Sequence, residues 1–295
     1  MKFIINSECS GTTIKDFLKK NNISSNLLKR LKKISNGITV NGSHQNVTYL
    51  LKENDVLVLN IDDFENDTNM YLSPSDIPID VIYEDENITV VNKPSNMPTH
   101  ESLNNHGNTL ANALKYRYME KNYVFRATNR LDKDTSGVVI TANNRYYASL
   151  ISQKIQKGEI DKEYIAIVSG KLSGEGKIIA PIDRIGKSII KRAVIENGEE
   201  AITEYKSLAA TSELSLILLK PITGRTHQLR VHMAHIGHPI IGDELYGGNS
   251  ELIQRQALHC LKMRIKDVGN FYANLAPDIM TLVRRYFDEE LIPKN

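Results

Sequence analysis

Apolar residues recur along the chain with two periods, one typical of helices and one typical of strands. Before residue 60, helical spacing follows a threonine pair and then a serine pair, both good helix caps, and predicts helices over 14–20 and 26–34. The β-branched run 38–40 ends in Asn41-Gly42, a strong hairpin signal, and 55–59 reads as a further strand. The pattern therefore predicts a small α/β unit.

From residue 77 onward the pattern mixes longer strands and helices. Apolar or alternating runs predict strands over 88–91, 137–142, 164–168, 203–208 and 214–219. Helical spacing, with glycine stops at Gly158 and Gly237, predicts helices over 109–118, 143–157, 228–236 and 278–287. Because helices and strands do not alternate strictly, we expect an α+β fold with a largely antiparallel or mixed central sheet, not a doubly wound one.

A linker is predicted between these two regions. The segment 62–76, DDFENDTNMYLSPSD, is acidic and rich in turn residues, and it has no apolar period. The sequence thus predicts a small domain over 1–61, a linker over 62–76 and a large domain over 77–295.

Charge is distributed very unevenly along the chain. Residues 1–60 carry nine Lys/Arg and four Asp/Glu, residues 61–87 carry nine Asp/Glu and no base, and residues 88–295 carry 28 bases and 22 acids. The net charges are therefore +5, −9 and +6, which sum to the overall +2. Two basic regions joined by an acidic segment indicate that the folded parts bind a polyanion. Charge alone leaves RNA, DNA and an anionic membrane open.

Composition indicates the size of the core and the cellular compartment. With 41% hydrophobic residues in 295, the chain can bury a sizeable core. No apolar run approaches the roughly 18 residues that span a bilayer, and the run at residues 3–5 is too short for a secretory signal, so we expect a cytoplasmic protein without a membrane partner. Cys9 and Cys260 stand far apart, which favours reduced thiols in ordinary packing.

Four basic residues crowd the second predicted helix: Lys29, Arg30, Lys32 and Lys33. They can form a solvated surface, but like charges at this spacing repel one another unless an anion relieves them. The surrounding motifs LLKRLKK, GITVNG and KENDVLVL resemble the RNA-binding domain of the ribosomal protein S-four type over about the first 60 residues. That resemblance implies contact with RNA and no chemistry of its own.

Three polar segments of the large domain carry candidate chemistry. The first, NRLDKDTSG at 129–137, holds the carboxylates Asp132 and Asp134 in a loop before a strand. The second is KEY at 162–164, and the third is KPITGRTHQLRVH at 220–232, which is dense in hydrogen-bond donors. A loop Asp beside an Arg is commonly a turn or surface ion pair, so the residues alone leave catalysis open.

Four histidines in and after the third segment could suggest a metal site: His227, His232, His235 and His238. No Glu follows a His as in helical zinc-hydrolase motifs, and no Cys lies nearby, so we expect no metal. Capping, support of neighbouring side chains and RNA contact are the alternatives.

Together these segments resemble the RluA-type pseudouridine synthases over nearly the whole chain. The matching motifs, in the family's order, are VVNKPSNMPTH at 90–100, NRLDKDTSG at 129–137, KEYIAIVSG at 162–170 and KPITGRTHQLRVHMAHIGHPIIGDELYGG at 220–248. The resemblance implies a pseudouridine synthase fold and an enzyme that isomerises uridine in RNA. Because this isomerisation needs no redox change, it implies no cofactor.

By position in these motifs, the family's catalytic aspartate falls on Asp132, its tyrosine on Tyr164 and the arginine that pairs with the carboxylate on Arg230. The resemblance implies that Arg130 helps to fill the gap left by the extruded base, and that Tyr164 stacks under the uracil and could take its carbon 5 proton. Arg225 and His227 are candidate RNA contacts.

Two positions depart from the family pattern: Asn129 stands where His is common, and Asn96 stands where Gly is common. Asn tolerates the left-handed backbone that Gly would supply. Large-subunit ribosomal RNA is the favoured partner and transfer RNA the alternative, with a monomer expected. A non-catalytic RNA-binding or ribosome-assembly factor remains the rival class.

Overall fold

The computed structural model describes residues 1–21, 23–60, 72–102, 106–121, 123–186, 188 and 190–294. The helices of eight residues or more, and two shorter ones near the beginning, are α1 (Ile14–Lys20), α2 (Ser25–Leu31), α3 (Leu110–Arg117), α4 (Arg145–Gln156), α5 (Gln228–His235) and α6 (Pro277–Tyr286). The strands are β1 (Lys2–Ile4), β2 (Ile38–Val40), β3 (Ser43–His44), β4 (Val56–Leu59), β5 (Asp80–Glu84), β6 (Ile88–Lys93), β7 (Ser136–Ala142), β8 (Ile160–Ser169), β9 (Glu175–Ile179), β10 (Ile182–Arg184), β11 (Arg192–Val194), β12 (Ile202–Ala210), β13 (Leu214–Pro221), β14 (Leu258–Ile265) and β15 (Gly269–Tyr272).

The first 60 residues form an antiparallel sheet, in the order β1-β4-β2-β3, covered by α1 and α2. Its fully buried core is drawn from residues 5–59 alone. The predicted caps are confirmed, since Thr13 and Ser24 accept the amide hydrogens of Asp16 and Leu27. The predicted hairpin is also confirmed: Asn41 and Gly42 both have positive φ, and β2 pairs with β3.

The second helix is shorter than predicted, because it ends at Leu31 and not at residue 34. The backbone turns back at Gly37, where any Cβ would collide with the carbonyl oxygen of Leu31. Lys32 and Lys33 therefore lie in the turn after the helix. All four basic residues of this region are exposed.

The large sheet has the order β5-β6-β7-β14-β8-β13-β12-β9 among the described residues, with β15 on the free part of β14. Its described pairings are antiparallel except β7 with β14, which run parallel at Ser136 and Gly137. This confirms the predicted α+β class. Gly137 has φ +113°, and a Cβ there would collide with the backbone of Cys260, so the parallel pair depends on a glycine.

Several strands were not predicted from the pattern: β1, β3, β5, β9, β10, β11, β14 and β15. Most are short, and β14 carries Lys262 and Arg264 among its apolar residues. Short or interrupted runs give little periodic signal. Of the predicted linker, 62–71 lies outside the described residues, whereas the carbonyl of Ser73 accepts a hydrogen bond from Asn112 in α3.

Helix α4 connects the two cores. Near its start, Tyr146 packs against the small core, and its hydroxyl lies 3.5 Å from the carbonyl oxygen of Asn21. Near its end, Ile155 lines a cavity of the large domain. Within the described ranges, no helix is both long and apolar enough to cross a bilayer.

Candidate active site

A cavity of about 270 Å³ opens between three segments: the loop before β7, strand β8 and the loop from β13 into α5. These are the three polar segments that the sequence singled out. Asp132, Tyr164 and Arg230, which are far apart in the chain, all line this cavity. The fold thus brings the three candidate catalytic residues together.

The loop that carries Asp132 is fixed by its own turn and by Thr99. The amide of Thr135 donates to the carbonyl of Asp132 at 3.1 Å, which closes the turn. Thr99 both donates to the carbonyl of Leu131, at 3.1 Å, and accepts from its amide, at 3.3 Å. Leu131 is buried, and the next side chain in the loop, that of Asp132, lines the cavity.

Two buried cations hold the same loop from the core side. The Lys93 ammonium donates to the carbonyls of Pro94, Met97 and Lys133 at 2.7, 2.8 and 3.1 Å. Arg255 donates to the carbonyl of Asp134 at 2.9 Å. Burial lowers the pKa of Lys93 to about 7, while three carbonyl acceptors match the three hydrogens of its protonated form.

Arg230, in the first turn of α5, links two carboxylates. Its Nη1 lies 3.0 Å from Asp132 Oδ2, and its Nε and Nη2 bind Asp243 at 2.6 and 2.8 Å. Burial alone would lower the pKa of this guanidinium, but the hydrogen bonds and charge of Asp243, with Asp132, raise it above its ordinary value. The arginine is therefore a permanent cation beside Asp132.

His227 and Tyr246 complete the surroundings of this ion pair. His227 Nε2 lies 3.7 Å from Asp132 Oδ2, and its Nδ1 lies 2.8 Å from the Tyr246 hydroxyl. That hydroxyl already accepts the amide hydrogen of Arg192, so its own hydrogen is available to Nδ1. A neutral His227 then carries its hydrogen on Nε2, toward Asp132. Burial lowers the pKa of His227, which favours this neutral form.

The backbone at His227 and the ring of Tyr246 both constrain the site. His227 has φ +58°, a left-handed conformation that is uncommon outside glycine and is found at functional sites. The ring of Tyr246 covers the Arg230 guanidinium at 5.1 Å from its centroid, a cation–π arrangement.

Tyr164 lies on β8, where its strand register places it opposite Cys260 of β14. The side chain is 8% exposed. Burial raises the pKa of the Tyr164 phenol well above its ordinary value, and Cys260 and Asp132 raise it further. Tyr164 therefore presents a neutral phenol and a flat ring to the cavity.

The candidate RNA-binding residues fall into three places. Arg130 is exposed at the rim of the cavity, and Arg225 lies in its wall, held by the Glu199 carboxylate at 2.5 Å and the Glu200 carbonyl at 2.9 Å. His227 lies beside Asp132 inside the cavity. The basic cluster of Lys29, Arg30, Lys32 and Lys33 belongs to the small unit, and none of its four members lines the cavity.

The two departures from the family pattern have local structural consequences. Asn129 donates to the carbonyl of Val138 at 3.1 Å and accepts from the amide of Ile140 at 2.9 Å, so its amide ties the loop to β7. Asn96 has φ +57°, the left-handed conformation that a Gly would supply.

The histidines of the third segment bind separate partners. His232 contacts Thr203 and the carbonyl of Ala180, both at 2.9 Å, and His238 lies 2.8 Å from the carbonyl of Ser169. Over the ranges that the structure describes, no group of three or more His, Cys, Asp or Glu could hold a metal ion.

Sequence reasoning did not single out Asp243 or Tyr246. Both stand in GDELYGG, at the end of the motif at 220–248 that resembles the family. An aspartate shortly after the apolar pair Ile240-Ile241 was the available signal, but its partner depends on how the chain turns after α5.

Fold and site together define a class of protein, the enzymes that isomerise uridine within RNA. The chain belongs to the RNA pseudouridylate synthase family, whose sequence profile matches residues 87–235. It is therefore an RNA pseudouridine synthase, as the sequence predicted.

Relatives and a solved structure support this assignment. The RNA pseudouridine synthase YjbO of Bacillus subtilis is 34% identical over 282 residues, which cover 92% of this chain and 98% of that protein. The ribosomal large subunit pseudouridine synthase D of Haemophilus ducreyi is 38% identical over 74% of each chain. The structure of human RNA pseudouridylate synthase domain containing 1 superimposes with a TM-score of 0.58 at 29% identity, over 68% of this chain and 83% of that one.

Proposed function

We propose that this enzyme converts uridine to pseudouridine in large-subunit ribosomal RNA, with Asp132 as the catalytic group. The observation that carries the catalytic assignment is the 3.0 Å ion pair of Asp132 with Arg230, in a cavity that Tyr164 also lines. Relatives named as large-subunit enzymes support the choice of RNA. Transfer RNA is the alternative substrate.

The reaction begins with eversion of the target nucleotide, because the atoms of a stacked uridine are out of reach. Leaving the stack costs a few kcal/mol. Arg130 occupies the gap and offsets part of that cost in this proposal, which its exposure at the rim of the cavity supports.

Asp132 then acts on the sugar as an anion. It either attacks the ribose carbon 1′ as the bond to uracil N1 breaks, or removes the carbon 2′ proton to give a glycal. In both routes the electron pair of the broken bond leaves with the uracil, which turns and forms a bond from carbon 5 to the same ribose carbon. As that bond forms, the Asp132–carbon 1′ bond breaks in the first route, and Asp132 returns the proton to carbon 2′ in the second, so the carboxylate is regenerated in both. Release of the carbon 5 proton to water completes an isomerisation without net redox change.

Arg230 and Asp243 position the carboxylate, and Tyr164 positions the base. The bidentate bond from Asp243 fixes the guanidinium, and the remaining Nη1 fixes Asp132. We assign Tyr164 the stacking role, because a phenol that keeps its proton is a weak general base.

The small unit over 1–61 is proposed to be an RNA-binding domain of the ribosomal protein S-four type, joined through the linker 62–76 to the catalytic domain 77–295. Its exposed cluster of Lys29, Arg30, Lys32 and Lys33 can contact phosphates. Replacing all four by Ala should weaken RNA binding. It should also reduce the slope of log K against log salt concentration by the contribution of up to about four phosphate contacts. Unchanged binding throughout a salt titration would instead support a merely solvated surface.

The catalytic assignment is tested by Asp132→Asn on RNA carrying tritium at uridine carbon 5. Single-turnover tritium release should fall on the order of 10⁴-fold or more, with RNA affinity nearly intact. Asp134→Asn, in the same loop, is the matched control and should stay within about tenfold of the wild type. Release at the wild-type rate by Asp132→Asn overturns the assignment.

The substrate is tested by carbodiimide mapping of pseudouridines in cells with and without the gene. We expect the missing site or sites in large-subunit ribosomal RNA. Loss of a transfer RNA site, with ribosomal RNA unchanged, would replace the proposed substrate by the alternative one and leave the catalytic assignment standing.

A further inference from the structure

Lys162 lies on β8 two residues before Tyr164. Side chains two apart on a strand point to the same face, about 6.6 Å apart along it. Lys162 accordingly lines the same cavity as Tyr164 and Asp132. A cation therefore stands beside the surface on which the uracil is proposed to stack.

This ammonium has no hydrogen-bond or ion-pair partner among the residues that the structure describes. Other cations nearby do: Lys93 donates to three carbonyls, and Lys220 binds Glu163 at 2.8 Å. Burial lowers the pKa of Lys162, because removing the ammonium from water disfavours its charged form. A half-buried, unpaired cation is unfavourable in the free enzyme, so a ligand that pairs with it offsets this penalty.

The reaction itself creates a suitable partner. When the bond from ribose to N1 breaks, the electron pair stays on the uracil, and the negative charge spreads over N1 and the two carbonyl oxygens. In both routes Asp132 is engaged with the sugar at this point, and Arg230 is bound to both Asp132 and Asp243. A donor aimed at a carbonyl oxygen of the base is strongest where water is excluded.

We propose that Lys162 donates a hydrogen bond to a carbonyl oxygen of the everted uracil and stabilises the negative charge on the base while it is detached from the sugar. Lys162 gives up no proton in this role, so the atoms and electrons of the isomerisation balance as before. The inference rests on the proposed function of Asp132.

A phosphate of the RNA backbone is the alternative partner for an ammonium. The base is favoured because Lys162 shares its cavity with the apolar side chains of Ile155 and Leu258 and the ring of Tyr164. A phosphate retains much of its hydration and binds at exposed surfaces, whereas a flipped base packs against apolar and aromatic side chains.

The experiment compares Lys162→Met, Lys162→Arg and Lys177→Met, an exposed lysine of β9 that serves as the matched control. At saturating RNA, Lys162→Met should lower the single-turnover rate by about 10²-fold, with the RNA Kd within about threefold of wild type. Lys162→Arg should recover part of that loss, and Lys177→Met should leave the rate unchanged.

A second substrate separates charge stabilisation from simple packing. RNA with 5-fluorouridine at the target position has a departing base whose anion is already stabilised by fluorine. Followed as consumption of 5-fluorouridine, the defect of Lys162→Met should be about tenfold smaller than with uridine. An equal defect with both bases would mean that Lys162 only shapes the cavity, and the inference would be wrong.

Two further outcomes overturn the inference. One is a wild-type rate in Lys162→Met, and the other is a normal rate at saturation with a weaker Kd and a salt slope reduced by about one, which marks a phosphate contact. Asp132→Asn is assayed in parallel: if it is inactive while Lys162→Met is normal, only this inference fails. If Asp132→Asn is itself active, the proposed function fails instead.

Discussion

Two buried arginines, Arg230 and Arg255, bind the loop that carries Asp132. Their Nε and Nη2 atoms have similar partners, whereas their Nη1 atoms have different ones. Arg230 binds Asp243 through Nε and Nη2 at 2.6 and 2.8 Å, and Arg255 binds Asp278 through the same atoms at 2.7 and 2.7 Å. Both form the bidentate geometry that fixes a guanidinium most firmly. Both oxygens of Asp243 and both oxygens of Asp278 are thus used to orient a guanidinium. We call Arg230 with its bonded partners the Arg230 cluster, and Arg255 with its partners Asp278 and Ser136 the Arg255 cluster.

The difference lies in Nη1. In Arg230 it binds the carboxylate of Asp132, which is 23% exposed and lines the cavity, whereas in Arg255 it binds the backbone carbonyls of Asp134 and Gln256. One arginine therefore holds the carboxylate that we propose as the catalytic group, and the other holds the backbone that supports it. On the proposed function, the same bidentate geometry serves catalysis at Arg230 and stability at Arg255, depending on what Nη1 contacts.

Among the residues that orient or support these two arginines, the largest effect is expected from Asp243→Asn. An amide cannot accept both guanidinium hydrogen bonds, so Arg230 should lose its orientation toward Asp132. We expect the single-turnover rate to fall on the order of 10³-fold, with RNA affinity within about threefold, measured by tritium release and filter binding. If Asp278→Asn lowers the rate equally, the division between the two clusters is wrong.

The next effect concerns His259, which contacts Ser136 at 2.9 Å in the Arg255 cluster. Burial lowers the pKa of His259 to about 4. Between about pH 6.5 and 4 the unfolded chain binds a proton that the folded one does not, so stability is lost as the pH falls through this window, by about 3 kcal/mol. Urea unfolding of wild type and His259→Gln at several pH values measures this difference. Identical pH dependence in both proteins would contradict it.

Asp278→Asn should have a smaller effect, on stability alone. Asp278 is 41% exposed on its side chain, so solvent screens its ion pair with Arg255. We expect the free energy of unfolding to fall by about 1–2 kcal/mol, while the single-turnover rate at saturating RNA stays within about threefold. Thermal unfolding and tritium release on the same preparation separate the two quantities. A large loss of rate in a fully folded variant would contradict the expectation that Asp278 affects stability alone.

The smallest effect is expected from Tyr246→Phe in the Arg230 cluster. The ring over the guanidinium is kept, but the hydroxyl that contacts His227 and the amide of Arg192 is lost. One such hydrogen bond corresponds to about 1 kcal/mol, so the rate should fall about fivefold. Tyr246→Ala serves as the comparison, because it also removes the ring and should fall further; equal rates in both variants would mean that the hydroxyl alone matters.

Much of the architecture was predictable where the local signal was strong. Helix α1 and its cap, the turn at Asn41-Gly42 and the glycine stop after α4 follow from capping and turn chemistry that act within a few residues. The end of α2 was missed, because the collision between Gly37 and Leu31 depends on the path of the following chain.

The site was predictable as a set of motifs but not as a geometry. Resemblance brought out Asp132, Tyr164 and Arg230, and the fold gathers them in one cavity. Asp243 needed the structure, because it is defined by a bond across a turn. Lys162 stands in a segment that the sequence singled out, but its lack of a partner needed the structure. Neither property is visible in a run of letters.

The parallel pairing of β7 with β14 ties the loop of Asp132 to residues more than a hundred positions further along the chain. A ribosome making this protein synthesises the loop of Asp132 long before Arg255 and Cys260. Contacts of such long separation form slowly and late. A nascent chain therefore displays the proposed catalytic aspartate without the support that orients it, and we expect activity only once the parallel pair of strands has formed.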